Sequence, residues 1–255
     1  MWKFTKVGKD IKLKNPVLIA GLPGIGNVGK IAADYLVENL EADMIYEIFS
    51  YSFPNSVFVK EDNLVELISM SIHHKKINGR DILFLIGDVQ PTDEQPSYEF
   101  CAGLLDILKE HGCSEIITIG GIGLADMPKK PKVYITGNSK AIVEKYRKGT
   151  KMRDKLYGVV GPIIGVSGLL LGLGQKRDID AVCLLAETFG HPMYLGVKGA
   201  REILIVLSKK LDLKIDFKTM DTEIKDMESD IIKRITEIDE FTKNKAVGDA
   251  TNYIG

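Results

Sequence analysis

The sequence predicts an α/β protein: one mixed sheet with helices on both of its faces. Short continuous apolar runs such as Val17-Leu18-Ile19-Ala20 and Ile82-Leu83-Phe84-Leu85-Ile86 read as strands buried on both sides. Segments with apolar residues three and four apart alternate with these runs, the pattern of helices packed over a sheet. A paired-strand signal near residue 60 makes the sheet mixed.

Taken in order, the Lys-rich first fifteen residues form an entry strand or loop, and Val17 to Gly21 the first buried strand. Val28 to Leu40 carries apolar residues at 28, 31, 32, 35, 36 and 40, one face of a helix. Met44 to Phe49 is a strand. Ser56 to Val59 and Leu64 to Ile72 flank the turn-like Glu61-Asp62-Asn63 and are expected to form a β-hairpin. Strand Ile82 to Ile86, helix Tyr98 to His111 and strand Ile116 to Ile119 follow, the last ending in Gly120-Gly121-Ile122-Gly123. Strand Val133 to Thr136, helix Ser139 to Arg147, strand Val182 to Ala186 and helix Ala200 to Leu211 complete the core.

A chain of 255 residues sits at the upper edge of what one core organises, so a core domain over 1–215 with an appendage is expected. Composition shifts after Ile215. Thr219 to Phe241 is strongly charged, yet Met220, Ile224, Met227, Ile231, Ile235, Ile238 and Phe241 make one apolar stripe. This predicts an amphipathic helix over 216–243, lying on the protein's own body or on another subunit, and a flexible tail over 244–255.

The balance of 34 basic and 35 acidic side chains gives no global field for phosphates, which excludes a nucleic-acid reader. The N-terminus lacks an apolar export signal. The most apolar stretch, Val159 to Leu173, is interrupted by Gly161, Pro162, Gly165, Gly168 and Gly172, too broken to span a membrane of ~30 Å. Cys101, Cys113 and Cys183 have neither disulfide parity nor C-x-x-C spacing, so they read as buried small hydrophobes, with no metal site. A cytoplasmic protein without a cofactor is expected.

Two glycine-rich segments stand out as a ligand loop. Gly24-Ile25-Gly26-Asn27-Val28-Gly29 is a GxGxxG between strand and helix, the arrangement that cradles a pyrophosphate at a helix N-terminus, with Glu47 in the ribose position. Pro23 and the interposed hairpin favour instead a tight structural elbow, and Asn27 suggests a polar loop contact. Gly121 and Gly123 belong to a second loop after a strand, where a turn at positive φ is the plainer reading. Lys30 is followed by Ile31, which excludes a Walker-type phosphate site. The Asp88, Asp93 and Glu94 carboxylates either hold Mg²⁺ or, more simply, serve the start of the next helix. His73 and His74 face opposite sides of a strand. Glu187 and His191 are the best acid/base pair available to an enzyme reading.

Three stretches taken together, Leu22 to Gly29, Gly161-Pro162-Ile163-Ile164-Gly165-Val166-Ser167-Gly168-Leu169-Leu170, and Cys183-Leu184-Leu185-Ala186-Glu187-Thr188, resemble the proteasome assembly chaperone family of archaea and actinobacteria over about residues 15 to 215. The resemblance implies a three-layer α/β/α sandwich similar to the purine nucleoside phosphorylase core but without its chemistry. It also implies homo-oligomers, no cofactor, and proteasome α subunits or a paralogue as partners. Ile231, Ile235 and Ile238 of the helix and Tyr253, Ile254 and Gly255 of the tail would make those contacts. Relatives that dock on the α-ring can end in a hydrophobic residue, a tyrosine and one final residue; here Tyr253 stands one position earlier. The competing reading is a small-molecule or nucleotide-binding enzyme using the glycine loops.

Overall fold

A computed structural model describes residues 2–8, 11–158, 160–218 and 220–222. The elements run β1 (Trp2–Lys6), β2 (Val17–Ala20), α1 (Val28–Asn39), β3 (Asp43–Ser50), β4 (Val57–Val59), β5 (Val65–Leu67), β6 (Met70–Ile77) and β7 (Arg80–Gly87). Then follow α2 (Glu94–Glu110), β8 (Glu115–Leu124), β9 (Val133–Gly137), α3 (Lys140–Arg147), α4 (Val166–Gln175), β10 (Asp180–Phe189) and α5 (Val197–Leu211). Eight strands form one sheet in the order β1-β3-β6-β7-β2-β8-β10-β9, and β4 and β5 pair separately. The central β7, β2, β8 and β10 are mutually parallel; β1, β3, β6 and β9 are antiparallel to their neighbours.

The central strands read as continuous apolar runs because both faces are covered. Val17 and Ile19 of β2, Ile82 and Phe84 of β7, and Val182 and Leu184 of β10 point to the layer of α1, α3 and α5. The intervening Leu18, Leu83, Leu85, Cys183 and Leu185 point to α2 and α4. A one-residue slip of any of these strands would exchange its two faces. The helices are placed by local signals: Ser139 Oγ accepts the Ile142 N–H at 3.3 Å to cap α3, and α5 stops where Asp212 turns to φ 53°.

Three boundaries differ from expectation. The helix expected from Tyr98 begins at Glu94, because Pro96 in a first turn forfeits no hydrogen bond and its fixed φ suits that turn. The run Leu64 to Ile72 splits: residues 65–67 complete the β4–β5 hairpin, while β6 joins the main sheet between β3 and β7. Gly120 to Gly123 form no loop. They continue β8, whose ladder with β10 runs unbroken from Glu115↔Asp180 to Leu124↔Phe189. His73 and His74 do face opposite ways. His73 bonds Ser71 Oγ and the Ala42 carbonyl, whereas His74 Nε2 lies 2.9 Å from Asp81.

Of the expected C-terminal helix, helical backbone is described at residues 217–218 and 220–222, and Met220 is buried against the core. Ile231, Ile235, Ile238, Tyr253, Ile254 and Gly255 lie outside the described residues.

Candidate functional site

Open α/β sheets present their loops for ligands at the carboxyl ends of the parallel strands. Here that edge carries the glycine elbow between β2 and α1. A β-carbon on Gly29 would stand 2.4 Å from the Ile119 carbonyl oxygen, so α1 sits on β8 closer than any side chain allows. That is the helix-packing role expected of the third glycine. The second glycine does something else. Gly26 adopts φ 60°, and the space beside it is filled by Thr188: a β-carbon there would meet Thr188 Oγ1 at 2.7 Å. Its carbonyl oxygen accepts the Gly196 N–H at 2.7 Å. Gly121 receives the Ile25 main chain, with a β-carbon 2.3 Å from the Ile25 oxygen. The elbow is therefore pinned from three sides, and a side chain of β10 occupies the room beside the second glycine.

Several sequence expectations are corrected here. Gly121 and Gly123 are strand glycines selected for close main-chain approach, with no turn at positive φ. Asn27 contributes its left-handed backbone, φ 51°, with no side-chain capping bond. Glu47 lies on β3, which β6 and β7 separate from β2, too far along the sheet for a ribose partner. Gly24 is open, its nearest neighbour being the Gln90 amide at 4.0 Å from a notional β-carbon.

Between Pro23-Gly24-Ile25, the start of α4 and residues 90–98 lies a crevice of about 610 Å³. Its walls are largely apolar, including Leu22, Ile119, Ile163, Leu169 and Leu185. Gln90 spans one side. Its Nε2 donates to the Pro23 carbonyl at 2.6 Å, and its Oε1 accepts the Val166 N–H at 3.3 Å, an otherwise orphan donor at the start of α4. Sequence reasoning weighed the carboxylates of this loop and missed the amide, whose partners lie 67 and 76 residues away along the chain. The carboxylates go elsewhere. Asp88 accepts from the Ser69 N–H and hydroxyl, both at 3.1 Å, and Asp93 is the residue flanking the start of α2. Among the described residues no group of three or more His, Cys, Asp and Glu side chains is placed to hold a metal ion.

Glu187 and His191 reach different partners. The Glu187 carboxylate, 6% exposed, accepts from the Lys132 N–H at 3.0 Å and the Tyr134 hydroxyl at 3.1 Å. Burial, with this bond and charge, pushes the Tyr134 hydroxyl pKa up. His191 lies beyond β10, stacks on Phe189 and accepts the Met193 N–H at Nδ1. The three thiols are buried as expected; burial lifts Cys101 to about 12 and Cys113 and Cys183 to about 11, away from nucleophilic chemistry.

A second surface stands out by its chemistry. The β4–β5 hairpin exposes Val57, Phe58, Val59, Leu64, Val65 and Leu67, the least exposed of them by 47%. Apolar residues occupy both faces of the ribbon, as no solvated strand requires. At its base a groove of about 370 Å³ runs beside Phe49, Tyr51 and Phe53. Exposed apolar patches mark protein or membrane interaction sites, ligand grooves or aggregation-prone edges.

No helix among the described residues is long and apolar enough to cross a membrane. Residues 18–235 match the PAC2 family. An uncharacterized protein of Methanocaldococcus jannaschii is 30% identical over 238 residues, 92% of this chain and 89% of that protein. Among solved structures, PbaB of Pyrococcus furiosus, described as an archaeal proteasome activator, is 30% identical with a TM-score of 0.83, covering 92% of this chain and 98% of that one. PbaA of the same organism, described as an archaeal homolog of proteasome-assembly chaperone, shares the fold at TM-score 0.76 and 22% identity, covering 99% of each chain.

Proposed function

Because the chain belongs to the PAC2 family, the proteasome assembly chaperone family, we propose that it is a cytoplasmic, non-enzymatic, homo-oligomeric scaffold that binds proteins, with proteasome α subunits or a paralogue as its partners. The observation that carries this reading is the β4–β5 hairpin, six uncovered apolar side chains on a ribbon that is marginally stable alone in water. The likeness to an archaeal proteasome activator supplies the partner class. The internal use of the strand-end groups supports it too: Gln90 and Glu187 are engaged in holding the fold together. Several weak contacts presented by one oligomer raise the effective concentration of each, which suits holding subunits in register.

Light scattering on the full chain and on a Phe58→Ser/Val65→Ser variant tests the reading. Wild type is expected as an oligomer, the variant at lower mass, and capture of proteasome α subunits should weaken with loss of the oligomer. Deleting residues 250–255 separates tail docking from the hairpin, since it should reduce α-subunit capture and leave the mass unchanged. A monomeric wild type sinks the proposal.

One observation favours a second reading, a small-molecule site: the crevice of about 610 Å³ stands at the strand ends. Titration calorimetry with inorganic phosphate and nucleotides decides it, with micromolar binding lost on Gly24→Val as the supporting result.

A further inference from the structure

The outward side of α5 carries Glu202, Ile205, Val206 and Lys209 beside the strips 130–133 and 149–153, and between them lies a groove of about 790 Å³. Its floor is apolar: Val133, Met152, Ile205 and Val206. Its rim is basic: Lys130, Lys132, Lys151, Arg153 and Lys209 line it with one acid, Glu202, which Arg201 already faces at 3.7 Å; of these cations Lys132 is shared with Glu187, also at 3.7 Å. Lys210 adds charge nearby, its Nζ donating to the carbonyls of Lys145 and Lys148. Cations gathered around a concave apolar floor focus a positive potential on it. The complementary ligand is a segment with an apolar stripe on one side and acids on the other.

This chain contains such a segment. Residues 223–241 hold seven acids against three bases, with Ile224, Met227, Ile231, Ile235, Ile238 and Phe241 at helical spacing. The approach to it is also on view. After α5 the chain doubles back: the Tyr35 hydroxyl donates to the Asp216 carbonyl, Met220 is buried, and Asp221 takes a two-pronged ion pair from Arg201. By residue 221 the chain has thus returned alongside the second turn of α5. Arg201 also lies over the Phe217 ring, at 5.7 Å, so the helical residues 217–218 and 220–221 lie against the start of α5. Groove and acidic segment are present on every copy, so two copies can seat each other's segment reciprocally.

We propose that the groove between α5 and residues 130–133 and 149–153 seats the acidic amphipathic segment 223–241 of a second copy of this chain. The inference rests on the scaffold reading only in needing a second copy, and is independent of what the scaffold holds.

Unlabelled and ¹⁵N-labelled full-length chains, mixed in dilute solution and concentrated together, are condensed with a carbodiimide that joins lysine amines to carboxylates. Mass spectrometry is expected to find mixed-isotope peptides joining Lys130 or Lys151 to Asp226, Glu228 or Asp230. In a full-length Lys130→Glu/Lys151→Glu variant the self-association Kd should rise about tenfold, and adding Glu228→Lys/Asp230→Lys should return it to within about threefold of wild type. Joined peptides of one isotope only, none at these lysines, or no rescue by the second pair overturns the proposal. An oligomer that shrinks on Phe58→Ser/Val65→Ser but gives no mixed-isotope groove peptides overturns this inference and leaves the scaffold standing. A wild-type monomer removes both.

Discussion

Gly121 and Ile25 touch main chain to main chain: a β-carbon on the glycine would stand 2.3 Å from the isoleucine carbonyl oxygen. The contact joins the middle of β8 to the elbow before α1, and the neighbouring Gly26 slot on Thr188 locks the same elbow to β10. Neither the strand, which keeps its ladder with β10 through Leu124, nor the elbow can yield alone.

Gly121→Ala should therefore destabilise the protein by about 2–3 kcal/mol, the upper range for overpacking, since the clash is with backbone. Urea unfolding measures it. A midpoint equal to wild type would show that the elbow moves freely.

Thr188 Oγ1 is buried and has no hydrogen-bond partner. A methyl group in its place removes an uncompensated polar atom without changing the shape, so Thr188→Val should stabilise by about 1 kcal/mol and raise Tm by roughly 2–4 °C. A fall in Tm would mean that the hydroxyl is bonded in solution.

Two buried carboxylates give an acid-dependent stability. For Glu115, burial pushes the pKa up, but hydrogen bonds from Lys145 and Tyr146 and the charges of Lys145 and Arg80 outweigh it and hold the carboxyl below its ordinary 4.5. Burial likewise opposes, and the His74 and Lys14 hydrogen bonds overcome it, at Asp81, held below 3.8. Both bind protons more weakly folded than unfolded, so their contribution is fully present above the ordinary values and is lost as pH falls through and below them. Urea midpoints at pH 7 and pH 4 should differ more for wild type than for Glu115→Gln. Equal differences would refute the role given to this cluster.

With their pKa values pushed up to about 12 for Cys101 and about 11 for Cys113 and Cys183, the thiols should resist an aromatic disulfide reagent at pH 8 and all three react in urea. Rapid labelling of any of them in the native protein contradicts the burial.

The sheet was legible because its central strands are buried on both faces, which writes them as unbroken apolar runs such as 17–20 and 82–86. The hairpin's existence was legible too, from Glu61-Asp62-Asn63, but the break at residues 68–69 was not, since Leu64 to Ile72 is apolar enough to read as one strand. Gly120 to Gly123 misled for a related reason: glycine serves both positive φ and close approach, and only the partner across the gap, Ile25, tells which. Gln90 was invisible because an amide's two bonds, to Pro23 and Val166, span 67 and 76 residues of chain. The groove beside α5 was hidden for the same reason, its rim lysines coming from three separate stretches of sequence.

The uncovered ribbon also bears on the life of a newly translated chain. Strands with free main-chain donors and acceptors beside Phe58 and Val65 can template indiscriminate sheet growth. On the proposed function an orphan molecule is thus a liability until a mate shields that ribbon, and the hazard depends on how synthesis keeps pace with capture. Overproduction without partners should fill inclusion bodies from this one projection, and a cell would do best to clear such orphans quickly.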